Sequence, residues 1–387
     1  MDIGQLREQI PACSRTIYMN TGWSGPSPVS VVQAVKERLE YESYEGPTSQ
    51  PVLDSGGELR LKVREAVAQL LNVSAPEVCL TQNTTEGLNI VLNGFPWQGG
   101  DEIVTFDIDH SSVLVPCLYL QRRCGVRIRA VSLGPSDDWE TILSKVEDAL
   151  TARTRMLVFS HVQYSSGLRM PVEELRSLTR SRETYMLLDG AQTPGHISLD
   201  LESLGADFYS IPAHKWLLGP DGAGALYIRK DLIRRIEPTY VAYQAVESTE
   251  EPIRYEANSE SMDKFDLTTT SVPLTAGFLE AVRFIREVGV EQIEARNREL
   301  AASLKARLSE VPGITILSPE DGPGVTGLTT FRIEGVDPAG EVERLWLEHR
   351  IVTRCVESLH GIRISLDFFN TEEEIGSLVD ALPGLKG

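Results

Sequence analysis

Positive charge is what this 387-residue chain has least of: 56 acidic residues face 37 basic ones, a formal net charge of −19. Lysine supplies only eight of the 37 basic positions. Such a balance argues against nucleic acid or an anionic membrane surface as a partner. Any anionic cofactor or substrate therefore needs cations and backbone amides placed for it. No apolar run approaches the roughly 18 residues that cross a bilayer, so no membrane-spanning segment is expected. The opening MDIGQLREQI lacks a basic stretch leading into an apolar one, so no secretory signal is expected either. The five cysteines (Cys13, Cys79, Cys117, Cys124, Cys355) are odd in number, scattered and without CxxC spacing. That usage predicts a reduced, cytoplasmic setting and no structural metal.

What is present reads as two cores. Apolar residues make up 41% and charged residues 24%, a globular balance over a length that suits a large and a smaller domain. In the middle of the chain EIVTF (102–106), VRIRAV (126–131), RMLVFS (155–160), YMLLD (185–189), DFYSI (207–211) and GALYI (224–228) predict strands. Several are apolar throughout, as strands covered on both faces should be. Helical patterns such as WETILSKVEDAL (139–150) and VEELRSLTR (172–180) lie between them. This alternation predicts an α/β domain with a mostly parallel sheet. GALYI follows its predecessor after a short Gly-rich turn, so one antiparallel strand is expected. From about residue 275 the texture changes to two consecutive helices (274–311), strands at 328–333 and 361–366, and a last helix from Glu372. That tail predicts a smaller α+β domain.

Lys215 stands in SIPAHKWLLGPDGAGALYI, between an apolar strand and a Gly-rich turn. Apolar surroundings and nearby cations lower a lysine's pKa and make it a Schiff-base nucleophile; the bland alternative is a surface lysine at a strand end. Upstream, YMLLDGAQTPG puts Asp189 at the carboxyl end of a strand, where open α/β sheets bind ligands. Asp189 could equally cap a helix, and Gln192 could simply begin one. A pyridoxal cofactor needs a carboxylate to keep its ring nitrogen protonated and a donor near its phenolic oxygen, and Asp-x-x-Gln offers both. In TQNTTEGLNIVL, Thr84, Thr85 and Gly87 would present amides and hydroxyls at a helix N-terminus, a phosphate seat or an ordinary cap. His110 ends the strand segment of GDEIVTFDIDH and could stack on a ring or be a structural histidine.

The ordered set TTEG, GDEIVTFDIDH, SHVQYSSG, LLDGAQ, HKW-x-x-GP and RISLDFFNTEEE resembles the class V aminotransferases, which include cysteine desulfurases, kynureninases and cysteine/cystine C–S lyases. The likeness spans nearly the whole chain. It implies a fold-type I pyridoxal-phosphate enzyme: a large, mostly parallel seven-stranded-type sheet sandwiched by helices, plus a smaller α+β C-terminal domain. The implied partition is 15–265 for the large domain, with 1–14 and 266–387 in the small one. The resemblance also implies a homodimer with shared active sites and a small amino-acid substrate. In this chain Lys215 would be the Schiff-base lysine, Asp189 the pyridine-nitrogen partner, Gln192 the donor to the phenolic oxygen and His110 the stacking ring. Thr84, Thr85 and His214 would hold phosphate, and Thr269 would reach the neighbouring subunit's phosphate. Arg363 would clamp the substrate α-carboxylate, for which a guanidinium fork is well shaped.

The departures from that pattern point to one branch. Desulfurases carry a nucleophilic cysteine on a long loop before the carboxylate arginine; here only eight residues separate Arg354 from Arg363, and Cys355 adjoins Arg354. The short spacing, HKW in place of HKL, the segment EPTYVAY (237–243), and Tyr164 where desulfurases place Asn resemble the C–S lyases. Arg354, Arg363 and Tyr164 are accordingly expected to bind substrate. The expected reaction is β-elimination on cysteine, cystine or a cysteine S-conjugate, giving a thiol or persulfide, pyruvate and ammonia. A desulfurase, an epimerase, a decarboxylating enzyme or an aminotransferase of the same family stands as the alternative. A cofactor-binding protein without turnover is the alternative from another class. Pro212 stands where relatives place a Ser or Thr phosphate donor, and it offers neither hydroxyl nor N–H.

Overall fold

Residues 2–134, 137–247 and 257–383 are described by the structure, a computed structural model. After β1 (Ile17–Tyr18), the apolar runs form β2 (Val78–Thr81), β3 (Glu102–Phe106), β4 (Arg127–Val131), β5 (Thr154–Ser160), β6 (Tyr185–Asp189), β7 (Phe208–Pro212) and β8 (Gly224–Ile228). Strands β2 to β8 make one seven-stranded sheet in the order β2-β8-β7-β6-β5-β3-β4. Strands β3 to β7 pair in parallel, while β8 runs antiparallel to both β7 and β2. That reversal follows from the short turn between β7 and β8, since a parallel return needs a crossover of a dozen residues or more.

Residues adjacent in sequence divide between two cores. Val104, Leu157, Phe159 and Leu188 pack on one face of the sheet, and Ile103, Met156, Val158 and Leu187 on the other. A period of two with both phases apolar is what helices on both faces require. The expected fold class is thus the observed one. The two helices expected over 274–311 are Val272–Val288 and Val290–Ser309, broken at Gly289, whose φ of +93° favours glycine.

The C-terminal strands are β9 (Ile314–Ile316), β10 (Leu328–Ile333), β11 (Ile351–Val352), β12 (Arg354–Val356) and β13 (Gly361–Ser365). Four of them form an antiparallel sheet, β12-β13-β10-β9, and β11 pairs in parallel with β1. The N-terminal segment therefore rides on this sheet well past residue 14. Arg7 donates to Phe369 O at 2.6 Å and pairs with Glu374 at 2.8 Å, and Asn20 bridges to Ser365. Sequence reading did not describe the long helices Val29–Glu45 and Gln50–Leu71, which pack against Val272–Val288. No described helix is long and apolar enough to cross a membrane.

Parallel strands deliver their carboxyl ends to one edge, and there the buried Asp109 knots three segments together. Its carboxylate accepts from Ser160 N at 2.9 Å, Gln163 Nε2 at 3.0 Å, and Phe106 N and Thr105 Oγ1 at 3.3 Å each. Burial pushes its pKa up to about 6, against the pull of those donors. Asp109→Ala would strand several buried donors at 1–3 kcal/mol apiece. The expected loss is about 2–4 kcal/mol, read as a lower midpoint in urea unfolding. An unchanged midpoint would show that the knot contributes nothing.

Candidate active site

Four strand ends converge. The turn after β7 carries His214 and Lys215; Leu218 N returns to Lys215 O at 3.0 Å, with Leu218 in the left-handed region at φ 57°. The N-terminal loop lies flush on this turn. Gly25 N donates to His214 O at 2.7 Å, and a Cβ at Gly25 would sit 2.2 Å from Lys215 O. Lys215 itself is part-buried. Burial pulls its amine down to about 8; Asp189 opposes that shift, and Arg363 and Arg354 add to it. Asp189, at the end of β6, is buried and accepts Ala191 N at 2.8 Å. Burial raises its pKa while Lys215 works the other way.

His110 caps the helix Ser111–Cys124, its Nδ1 accepting Ser112 N at 3.2 Å. Nδ1 being an acceptor, the ring proton belongs on Nε2. Burial, then Lys215, Arg354 and Arg363, hold the imidazole down at about 4, so it is neutral at neutral pH. Tyr164 meets it edge-on with centroids 5.0 Å apart. Thr85 Oγ1 donates to Ser112 Oγ at 2.9 Å, which links the helix start at Thr84 to the His110 turn. Asn83 Oδ1 caps Glu86 N at 3.0 Å, leaving the Thr84 and Thr85 amides without a partner among the described residues. Gly87 also has a packing role, and its own amide donates to Asn83 O at 3.4 Å. A Cβ there would lie 2.2 Å from Ser210 Oγ, so it lets the helix close onto β7.

Arg363 is fully buried, donating to Tyr164 O at 2.8 Å and Asn20 Oδ1 at 3.3 Å, while its Nε has no partner among the described residues. Burial and Arg354 pull it down to about 9. Arg354 stands directly opposite it in the β12–β13 ladder. Its guanidinium lies 4.3 Å from the Trp23 ring centroid and 5.9 Å from that of Tyr164. Gln192 is buried, donating to Gly22 O and accepting from Trp216 Nε1, each at 2.8 Å. His214 Nδ1 is buried without a hydrogen bond among the described residues, its nearest acid being Asp221 at 3.6 Å.

The structure thus brings Lys215, Asp189, Gln192, His110, Tyr164, Arg354 and Arg363 to one place, with Thr84, Thr85 and His214 beside them. Thr269 is not in that group. It is exposed on a cavity of about 240 Å³ with Arg60, Arg64, Gln82 and Gly222. Sequence reading missed Asn20, Gly22 and Trp23, which lie some 170 residues or more from their partners. The one local signal was the glycine-bracketed aromatic in TGWSG.

A family model described as aminotransferase class-V matches residues 17–378. An isopenicillin N epimerase from Streptomyces clavuligerus is 31% identical over 96% of this chain and 95% of its own length. A probable cysteine desulfurase from Methanothermobacter thermautotrophicus is 28% identical over 99% and 98%. Among solved structures, the cystine C–S lyase C-DES with its product cysteine persulfide superposes with a TM-score of 0.90 at 27% identity, covering 96% of this chain and 98% of that one. A lysine-to-alanine mutant of C-DES, with glycine covalently linked to its PLP cofactor, gives 0.91 at 27% identity, covering 97% and 98%.

The electrostatics of Lys215 give a direct test. Only the free amine reacts with acylating reagents, so labelling of Lys215 in cofactor-free protein should rise with pH through a midpoint near 8. Arg363→Ala removes a cation that disfavours the ammonium form, so the midpoint should then move up. Peptide mass spectrometry reads both, and a midpoint at the ordinary 10.5 would contradict the described environment.

Proposed function

The chain belongs to the class-V aminotransferase family, and from that premise we propose that it cleaves the carbon–sulfur bond of cysteine, cystine or a cysteine S-conjugate by β-elimination. It is a fold-type I enzyme and its cofactor is pyridoxal phosphate. The residues present fit that group. Asp189 offers a buried carboxylate for the ring nitrogen, and the unspent Thr84 and Thr85 amides with His214 suit a phosphate. Gln192 and His110 supply a donor and a ring face. When bound, pyridoxal phosphate supplies an electron sink for the carbon from which a proton is lost.

The remaining work falls to the chain. Arg363 binds the α-carboxylate; it has no competing carboxylate among the described residues. Lys215 Nζ, whose free amine is favoured by burial and by the two arginines, would take the α-proton. The electron pair of the Cβ–S bond leaves on sulfur, and the three-carbon remainder takes up water to end as pyruvate and ammonium. Arg354, steadied by Trp23 and Tyr164, receives a second anionic group such as the far carboxylate of cystine.

The observation that favours lyase over desulfurase is the β12–β13 hairpin. Residues 357–360 close it in a single tight turn, and Cys355 alternates with Arg354, so its side chain points away from the arginine face. Burial also raises the Cys355 thiol's pKa, which disfavours the thiolate that takes up sulfur. A second reading, α-epimerisation, draws on the Streptomyces relative, because it begins with the same proton transfer. We also propose a cytoplasmic homodimer. Leu39, Tyr44, Leu53 and Leu61 are large apolar side chains left exposed on the N-terminal helices, and Thr269 is exposed where it could meet a neighbour's phosphate.

Holoenzyme given cystine or a cysteine thioether should form pyruvate, ammonium and a persulfide or thiol. Lys215→Ala should abolish turnover, and Cys355→Ser should keep most of it. Arg363→Ala should cost about 2–5 kcal/mol in kcat/KM, and Arg354→Ala should harm dicarboxylate substrates most. Alanine with sulfur left on the protein would replace this reading by a desulfurase. Exchange of α-hydrogen with solvent and inversion without sulfur release would replace it by an epimerase, and amino transfer to a keto acid by an aminotransferase. Sedimentation of the holoenzyme should give a dimer; a fully active monomer would contradict the shared site.

A further inference from the structure

The Gln192 side chain is fixed at both ends by the protein. Its Oε1 accepts the Trp216 indole N–H at 2.8 Å, and its Nε2 donates to Gly22 O at 2.8 Å. An indole nitrogen only donates, so the amide has one admissible orientation, oxygen toward Trp216 and NH2 toward Gly22. One Nε2 proton goes to Gly22, and the second has no acceptor among the described residues.

Trp216 is itself held in place. It is wholly buried and lies flat on His196, with centroids 3.6 Å apart and ring planes 6° from parallel. His196 Nε2 accepts Gly327 N at 2.9 Å, so the ring proton sits on Nδ1 and is donated to Gln192 O at 2.8 Å. Burial keeps this imidazole neutral, its pKa pushed down to about 3. One indole and one imidazole therefore grip Gln192 by side chain and main chain. The Gly327 contact also ties the grip to the start of β10 in the C-terminal sheet. A buried donor without an acceptor is costly, and a ligand oxygen would satisfy it.

We propose that Trp216 is a positioning residue: its indole N–H sets the Gln192 amide so that the spare Nε2 proton meets the phenolic oxygen of the cofactor. The inference rests on Gln192 being the partner of that oxygen. An N–H donated to an oxygen favours its anionic form. It also draws charge away from the proton shared with the Lys215 nitrogen, so that proton leaves at lower pH. Trp216→Phe keeps an aromatic ring against His196 and removes the donor together with part of the ring's bulk. Gln192 Oε1 then loses its partner, and the amide is held at one end only, by Gly22 O.

The test is a pH titration of the bound cofactor's visible absorption in holoenzyme, in Trp216→Phe, in Gln192→Ala and in the double variant. Each single variant should move the midpoint up by about half to one pH unit, and the double variant no further. A shift in Gln192→Ala but none in Trp216→Phe overturns the role of Trp216 and leaves that of Gln192 standing. No shift in either overturns the reading of Gln192, and the proposal with it. A Trp216→Phe protein that melts lower with its midpoint unmoved marks the indole as packing only. Should that variant not fold, the unaltered holoenzyme still decides. Its Trp216 indole N–H should exchange with solvent far more slowly than that of Trp23, which is 55% exposed. Equal rates overturn the hydrogen bond on which the proposal stands.

Discussion

Two guanidinium groups face each other across one β ladder, and neither has a carboxylate partner among the described residues. Like charges directly opposite on a sheet repel, and Arg363 is fully buried as well. In a chain of net charge −19, acidic side chains to neutralise them are plentiful, yet none is used. The site instead satisfies Arg363 with neutral oxygens, the Tyr164 carbonyl and the Asn20 amide, and lays Arg354 against aromatic faces. Neutral acceptors and ring faces hold a cation in position without cancelling its field. That surplus charge adds to burial in the rest of the site: it helps pull Lys215 down to about 8 and helps keep His110 neutral. The unneutralised guanidinium pair and the lowered lysine are in this sense one electrostatic design, with Asp189 as the one charge opposing it at Lys215 among the described residues.

Holding that arrangement takes both ends of the chain. The loop from Asn20 to Gly25 touches Arg363, Gln192, Arg354 and the His214–Lys215 turn. It is carried there because β1 joins β11 and Asn20 bridges to Ser365. The large sheet supplies Lys215 and Asp189 and the small sheet supplies the arginines. The N-terminal loop is the strap between them.

The parts legible in the sequence were local. Apolar strands, the helix pair near 274–311 and the motifs around Asp189 and Lys215 each declare themselves within about twenty residues, through period and turn chemistry. Trp23 and Asn20 could not be found that way, since their meaning depends on contacts with residues 354 and 363. Gly87 carries a constraint of the same non-local kind: a Cβ there would lie 2.2 Å from Ser210 Oγ, which is visible only once β7 is beside the helix. Thr269 is intermediate: its segment is recognisable, but one chain shows only its exposed place beside Arg60, Arg64 and Gln82.

Pro212 shows how the fold absorbs a residue that the motif disfavours. Proline within a sheet removes a ladder donor and is tolerated where no partner awaits it. The β6–β7 ladder ends at Asp189 and Ser210, with Gly190 N donating to Ser210 O at 2.8 Å. Beyond that point the Gly190 carbonyl is taken by Thr193, through both its N–H and its hydroxyl. A residue at 212 therefore has no strand partner on the β6 side, and its neighbour on the other side, Gly224, belongs to β8. The missing N–H costs nothing there. The missing hydroxyl is a different matter: if the proposed function is right, it would take one donor from the phosphate side of the site. On that reading the donors left would be His214 and the Thr84 and Thr85 amides, which lie at a helix N-terminus where the backbone dipoles already favour an anion. Phosphate binding, so read, would lean more on backbone amides, which ties it to the packing of that helix on β7 through Gly87.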